Sequence, residues 1–310
     1  MTTKYLRFNP LLKAVILISC LLFLVLKLSA DKSDLLSLYA LFKIKLIPGY
    51  AAILVMIILM PLNWSFEAWK WQLLAGKVVK LSFWDSLKGV ITGLGLSFVT
   101  PYALGDYLGR IGLISHTDRK RLVGPLLMGS SVQLFVTLVF GLLGVFYLFD
   151  TDHLFYLLFL VISFFMAFVF IYRMPKSKWN SKMVTQIKFY FGLAQAFNRR
   201  ELVKVFAISF LRYLTFGFQF LLALHIFLPH VEPHLKLAGI TWVFLAKSMV
   251  PTFNFLSDLG VREVSAVLFF EQHSIDMEPV LLSSLLIWLI NLLLPTVLSL
   301  PLIFKLKIMR

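Results

Sequence analysis

Long apolar segments dominate the pattern of the chain, and six of them match the roughly 20 residues that a helix needs to cross a bilayer. They occupy residues 11–28, 48–66, 122–148, 153–172, 203–228 and 280–304. The first follows three basic residues, as a secretory signal does, but its apolar run continues past Cys20 to Leu28. We therefore interpret residues 11–28 as an uncleaved first transmembrane helix.

Two further apolar regions, residues 83–115 and 235–271, are interrupted near their middle by Pro101 and Pro251. The part that follows the first interruption, residues 105–115, is too short to span about 30 Å at about 1.5 Å per residue. Each region is therefore predicted to form a re-entrant helical hairpin. Irregular backbone at membrane depth has to be buried in protein or face a wet cavity.

The two interruptions share a motif in which proline is followed by aspartate and then, four residues later, by arginine. The stretches read PYALGDYLGR at 101–110 and PTFNFLSDLGVR at 251–262. Charged side chains cost about 2.5–3.5 kcal/mol or more at membrane depth. Two such pairs in matching contexts indicate that the protein uses them and that its two halves are repeats.

The distribution of basic residues predicts the topology. With the N-terminus inside, 21 of the 30 lysines and arginines fall in cytoplasmic segments and five fall outside, which obeys the positive-inside rule. The cytoplasmic segments are 1–13, 67–88, 116–121, 173–204 and 305–310. Both termini and the basic loop 173–204 are thus predicted to be cytoplasmic, and the two hairpins enter from opposite sides. Two full spans in place of each hairpin would leave this parity unchanged.

The predicted fold is therefore an all-α integral membrane protein of the cytoplasmic membrane. Residues 1–310 form a single polytopic membrane domain with six spanning helices plus two opposed re-entrant helical hairpins in an inverted repeat.

Composition supports this class. The chain is 60% hydrophobic and 15% charged, with a mean hydropathy of +0.88, whereas soluble domains are about 45–50% apolar and about 25% charged. The net charge of +15 is explained by basic residues that flank membrane segments, so nucleic acid is not an expected partner. One cysteine and six scattered histidines give no metal site, and no cofactor is expected.

The two Asp–Arg pairs are the first candidate binding residues. Asp106 and Arg110, like Asp258 and Arg262, share one helix face just after a helix break, where free backbone N–H groups and the helix dipole favour an anion. The planar guanidinium groups suit phosphate. The alternative is that each pair neutralises itself and holds the hairpin in shape.

Three other charged residues at apparent membrane depth complete the predicted substrate-binding set. Arg212 has no acidic neighbour in sequence, so it needs a partner from another helix or an anionic ligand. Lys247 adds a second cation along the same path. Glu263 is expected to point to a different helix face from Arg262, where it could pair with Lys247 or Arg212.

Several stretches resemble the transmembrane region of lysylphosphatidylglycerol synthases and their stand-alone relatives. They are Asn63-Trp64, Lys70-Trp71-Gln-Leu-Leu, the stretch 101–110 and Asp258-Leu-Gly-Val-Arg-Glu263, and the resemblance spans roughly residues 45–300. In bifunctional members this region is taken to flip an aminoacylated lipid that a separate soluble domain makes. The resemblance implies a lipid-translocating membrane domain, and without a synthase domain aminoacyl transfer is not implied.

The leading hypothesis is a lipid flippase or lipid-linked transporter, not an enzyme. Its expected partners are membrane lipids, either an anionic phospholipid or a polyprenyl-phosphate-type lipid, bound near the bilayer midplane. Two alternatives remain open: a non-catalytic membrane assembly protein, and a membrane-embedded lipid transferase. A headgroup-dependent cavity would distinguish the first from the assembly protein, and product formation in detergent would identify the transferase.

Overall fold

A computed structural model gives the architecture of the chain. It describes residues 5–7, 40, 43–97, 100, 104–114, 119–148, 158, 161, 162, 165, 197–250, 255–305 and 307–309. These residues are almost entirely helical, which confirms the all-α class. Several predicted features lie outside them: the span 11–28, most of the span 153–172, loop residues 173–196, Pro101 and Pro251.

Nine α-helices follow one another in the described parts of the chain. They are α1 (Tyr50–Ala75), α2 (Phe83–Ser97), α3 (Leu104–Gly112), α4 (Val123–Leu148), α5 (Arg199–Phe227), α6 (Pro233–Met249), α7 (Phe255–Gln272), α8 (Met277–Trp288) and α9 (Leu294–Lys305). A 3-10 turn, Arg119–Leu122, precedes α4, and a π-helical turn, Leu289–Leu293, joins α8 to α9. Two short strands, β1 (Tyr5–Arg7) and β2 (Lys307–Met309), pair antiparallel and bring both ends of the chain together.

Four helical stretches of the described chain are long and apolar enough to cross a membrane. They are Tyr50–Ala75, Val123–Leu148, Arg199–Phe227 and Met277–Ile303, and they coincide with four of the six predicted spans. Large apolar side chains such as Leu54, Ile58 and Leu62 are exposed on the outer face of α1. Exposed apolar surface of this kind is typical of a face covered by lipid, as expected for a multi-pass membrane protein.

Helix α1 extends further than the sequence predicted. The expected span ended at residue 66, but the helix continues to Ala75 because Trp71 and Leu74 pack into the protein and are 1% exposed. Lys70, assigned above to a cytoplasmic segment, is consequently buried within this helix. Lys236, one of the five basic residues that the prediction places outside, is buried in α6. Removing both from the charge comparison changes 21 against 5 to 20 against 4, so the bias remains.

The first interrupted region folds as a pair of antiparallel helices. Gly89 of α2 lies against Arg110 of α3, and Gly105 of α3 lies against the Leu96 end of α2. The helices are close at both positions, because a Cβ at Gly105 would overlap the backbone of Leu96 and Ser97 and one at Gly109 would overlap the backbone of Gly93. Glycine at such positions permits the close helix contact that other residues would block.

The second interrupted region is also an antiparallel helix pair. Trp242 of α6 donates a hydrogen bond from Nε1 to the backbone oxygen of Ser265 in α7, at 2.9 Å. Gly239 of α6 packs against Phe269 and Phe270 of α7. Both predicted hairpins are thus helix pairs, while their re-entrant placement in a membrane stays a prediction.

The two halves of the described chain repeat one order of elements: a long helix, a helix pair and a second long helix. The first long helices, α1 and α5, pack antiparallel, since Lys77 contacts Glu201 at one end while Met56 contacts Gln219 further along. The second long helix of each half packs on the hairpin of the other half. Helix α4 packs on α6, and α9, which is the last part of the long stretch Met277–Ile303, packs on α2. Each half thus supplies a helix that packs on the hairpin of the other half, while the inverted relation of the two halves stays a prediction.

A capping box sets the position of α5, which carries a central site residue. The Asn198 side chain accepts a hydrogen bond from the Glu201 backbone at 2.9 Å, and the Glu201 carboxylate accepts one from the Asn198 backbone at 2.8 Å. The helix therefore begins at Arg199. Arg212 follows 13 residues later, about 20 Å along the axis, which places it deep in the bundle.

Candidate functional site

A buried carboxylate at the centre of the bundle holds three cations from three helices. Glu67 of α1 is 5% exposed. Its Oε1 contacts Nη1 of Arg110 in α3 at 2.6 Å. Its Oε2 lies 2.8 Å from Nζ of Lys70, one turn further along α1, and 2.7 Å from Nη1 of Arg212 in α5. The Glu67 side chain thus connects α1 and α5 to α3 of the first hairpin.

Two further contacts complete this ion network. Arg110 donates from Nε to Asp106 Oδ1 at 2.8 Å, and Arg212 donates from Nε to Asn63 Oδ1 at 3.0 Å. Three cations and two carboxylates leave a formal charge of one positive unit. Buried charges are stabilised by pairing and by hydrogen bonds. Glu67 Oε1 has both in its contact with Arg110, whereas Oε2 is paired with two cations without a recorded hydrogen bond.

The predicted pair Asp106–Arg110 is therefore observed as an ion pair. The Arg110 side chain is only 7% exposed, and its guanidinium contacts two carboxylates. This geometry favours the structural alternative for Arg110, in which the arginine fixes the hairpin against α1.

A polar cavity of about 210 Å³ opens beside the network, between α1, α4, α5 and α6. Both predicted cations, Arg212 and Lys247, line it. The other described lining residues are amide, hydroxyl or aromatic: Asn63, Gln133, Thr137, Tyr213, Phe216, Phe244 and Ser248. Arg212 belongs to both the cavity and the ion network. An anion in the cavity would therefore meet a guanidinium that Glu67 already holds in place.

The corresponding arginine of the second hairpin has different surroundings. Arg262 of α7 is 3% exposed, and its Nη2 lies 3.8 Å from Oε1 of Glu263. That oxygen also accepts a hydrogen bond from Ser284 Oγ at 3.1 Å. The side chain of Asp258 lies outside the described residues. The first hairpin's arginine thus contacts a carboxylate from another helix, whereas the recorded ionic partner of Arg262 is its own neighbour.

The structure brings together only some of the predicted site residues. Asp106, Arg110 and Arg212 share the ion network, and Lys247 joins Arg212 at the cavity. Glu263 was predicted to point to a different helix face from Arg262, and the closest recorded approach between their charged atoms is 3.8 Å. The partner of Arg212 is Glu67, so Glu263 is not needed for that role.

Sequence reasoning missed the central residue, Glu67. It was assigned with Lys70 to a cytoplasmic segment because the predicted span ended at residue 66. A signal was present, since Asn63, Glu67 and Lys70 recur at spacings of four and three and so share one helix face. Continuing the helix through this polar face would have placed a carboxylate in the bundle, where Arg212 lacked a partner.

The described residues contain no group of three or more His, Cys, Asp or Glu side chains that could hold a metal ion. A comparison with curated proteins found no match for the chain. Among protein families, the model described as the lysylphosphatidylglycerol synthase TM region matches residues 11–299. With nearly its whole length matched, the chain belongs to the family of the lysylphosphatidylglycerol synthase transmembrane region.

Proposed function

We propose that the protein binds the anionic headgroup of a membrane lipid in the polar cavity and moves it between the two leaflets. The observation that carries this proposal is the presence of Arg212 and Lys247 in one cavity between helices of membrane-spanning length and composition. Cations at such depth are costly and commonly mark substrate or ion pathways. An anionic phospholipid and a polyprenyl-phosphate-type lipid both supply the phosphate that a guanidinium recognises.

The ion network gives this cavity a connection to the first hairpin. An anionic headgroup competes with Glu67 for the positive charge of the Arg212 guanidinium, because both are oxygen anions attracted to the same cation. Each arrival of a headgroup weakens the contact between α5 and Glu67, which also holds Arg110 of α3. Occupancy of the cavity therefore biases the packing of the hairpin, as a transporter that alternates between two states requires.

The direct test is translocation in proteoliposomes that contain a labelled anionic lipid. Wild-type protein should expose lipid from the inner leaflet to an impermeant reagent, and Lys247→Gln should slow that exposure by about tenfold or more. Arg212→Lys keeps the charge but loses the planar fork, so it should weaken phosphate binding as well. The matched control is Lys204→Gln, which neutralises an exposed lysine on α5 away from the cavity.

Three outcomes would overturn the proposal. Translocation and lipid retention equal to wild type in folded Lys247→Gln and Arg212→Lys would remove the cavity's role. Formation of a new lipid product by purified protein would identify a transferase. A protein that retains no lipid and moves none, yet is required for a complex, would match the assembly alternative.

A further inference from the structure

We infer that a resident phospholipid lies on the outer surface of the bundle, with an acyl chain in an apolar groove between α4 and α5 and its phosphate on Arg199. The groove is separate from the polar cavity, so this lipid supports the packing of α4 against α5 and is not the transported substrate. Three features support this site: the lining of the groove, its position on the two helices, and a cation one helical turn away.

The lining of the groove is almost entirely apolar, and its volume is about 240 Å³. Its described lining residues are Ser131, Val132 and Phe135 of α4, Leu202, Val203 and Phe206 of α5, and Phe165. The Phe135 ring forms one wall, 5.5 Å from the ring of Phe165 and 6.4 Å from that of Phe206. Val203 is 65% exposed, so the groove opens to the outside. An empty groove forfeits dispersion contacts that a hydrocarbon chain restores.

The groove and the polar cavity lie on opposite sides of α4 and share no described lining residue. Successive residues of an α-helix are rotated by about 100°. Ser131, Val132 and Phe135 of the groove therefore fall in one sector of α4, whereas Gln133 and Thr137 of the cavity fall in the opposite sector. A chain in the groove consequently leaves the cavity open.

The groove lies near the N-terminal ends of α4 and α5, both of which are long enough to span a membrane. The two helices run parallel, because Phe135 contacts Phe206 and, further along both helices, Phe140 contacts Tyr213 at 5.2 Å. The charge distribution predicts that this end faces the cytoplasm. The groove is therefore placed to receive an acyl chain from the cytoplasmic leaflet.

Arg199 supplies a cation at the distance that a phospholipid requires. It precedes Leu202 by three residues and Val203 by four, so it shares their helix face about 5.4 Å closer to the helix end. The polar zone of each leaflet is about 5–7.5 Å thick, since a bilayer of about 40–45 Å contains about 30 Å of hydrocarbon. This spacing matches the separation of a lipid phosphate from the start of its acyl chains.

The carboxylate in the same turn of α5 does not neutralise Arg199. Glu201 contacts Lys77 Nζ at 2.7 Å and accepts the backbone N–H of Asn198 at 2.8 Å. Arg199 is exposed and has no recorded ion pair with any described residue. Its guanidinium is therefore open to the phosphate oxygens, which fit its planar arrangement of donors.

The test is photocrosslinking of the purified full-length protein in detergent. The two probes, phosphatidic acid and diacylglycerol, carry the same photoreactive acyl chain and differ in the phosphate. Phosphatidic acid should label Val203 and Phe206 about fivefold more than diacylglycerol, because only it can pair with a guanidinium. Arg199→Gln should remove this difference, and Val203→Trp should block both probes by filling the groove. The matched controls are Lys204→Gln and Leu211→Trp, at exposed positions of α5 outside the groove.

The outcomes distinguish this lipid from a transported one. Labelling of the groove should persist in Lys247→Gln, which alters only the polar cavity; its loss there would refute a separate site. Equal labelling by the two probes, or a preference that Arg199→Gln leaves unchanged, would refute the phosphate contact. Absence of groove labelling in the wild type would overturn the inference, and a change of oligomeric state in Val203→Trp would then assign the groove to a contact between copies.

Discussion

Replacing Glu67 with glutamine tests whether the buried network holds the bundle together. The substitution keeps the shape of the side chain and removes the charge that three cations share at 2.6–2.8 Å. The formal charge of the network rises from one to two positive units, since only Asp106 remains to balance Lys70, Arg110 and Arg212. Removing one partner of a buried ion pair costs about 3–5 kcal/mol, and we expect Glu67→Gln to lower the free energy of unfolding by that amount.

The measurement is unfolding of the purified protein by SDS titration in mixed micelles. The matched control is Glu271→Gln, which neutralises an exposed glutamate on α7 and should change the free energy of unfolding by less than about 0.5 kcal/mol. The double variant Glu67→Gln with Lys70→Met restores a net charge of one unit. It should be more stable than the single variant, because an apolar group in place of a buried ion is often tolerated.

Two results would refute this reasoning. If Glu67→Gln matched the control, the short contacts would contribute nothing measurable to stability. If the double variant were no more stable than the single one, excess positive charge would not be the cause of the loss. A loss of translocation without a loss of stability would instead place Glu67 in the transport cycle.

Two further predictions concern packing and topology. Gly109→Ala should lower the free energy of unfolding by about 1–3 kcal/mol in the same SDS titration, because the added Cβ overlaps the backbone of α2. The control is Gly260→Ala, whose Cβ meets nothing within 4 Å and should cause no loss of stability. The topology is tested with single cysteines in a Cys20→Ser background, by adding an impermeant maleimide to intact cells. The reagent should label Glu278→Cys and leave Arg200→Cys unlabelled, because the charge bias places the N-terminal end of α5 inside. The reverse labelling pattern would invert the topology.

The long apolar helices and the two helix pairs could be predicted from sequence because each depends on local signals. Length and hydropathy identify the spans, and proline within an apolar run marks the interruption of each hairpin. The i, i+4 spacing of Asp106 and Arg110 also predicted their ion pair, which forms within a single helix. In these cases the interacting residues lie within a few positions of each other.

The centre of the site could not be predicted in the same way. Glu67 and Arg212 are far apart in the chain and meet only because α1 and α5 pack antiparallel. Hydropathy also ends the predicted span 48–66 where the helix becomes polar on one face, although that face is buried against other polar groups. The sequence did show that Arg212 lacked a local partner, but the packing of the helices decides which carboxylate fills the role.

The exchange of partners between the two halves has a consequence for biosynthesis. The α2 surface at Gly95 packs against Ser299 and Ile303 of α9, which follow about 200 residues later. At about 5–20 residues per second, the ribosome needs roughly 10–40 s to supply that partner. During this interval the α2 surface at Gly95 lacks this partner, so the contact forms only after α9 has been synthesised. Two separately produced halves should therefore remain incomplete alone and assemble when made together.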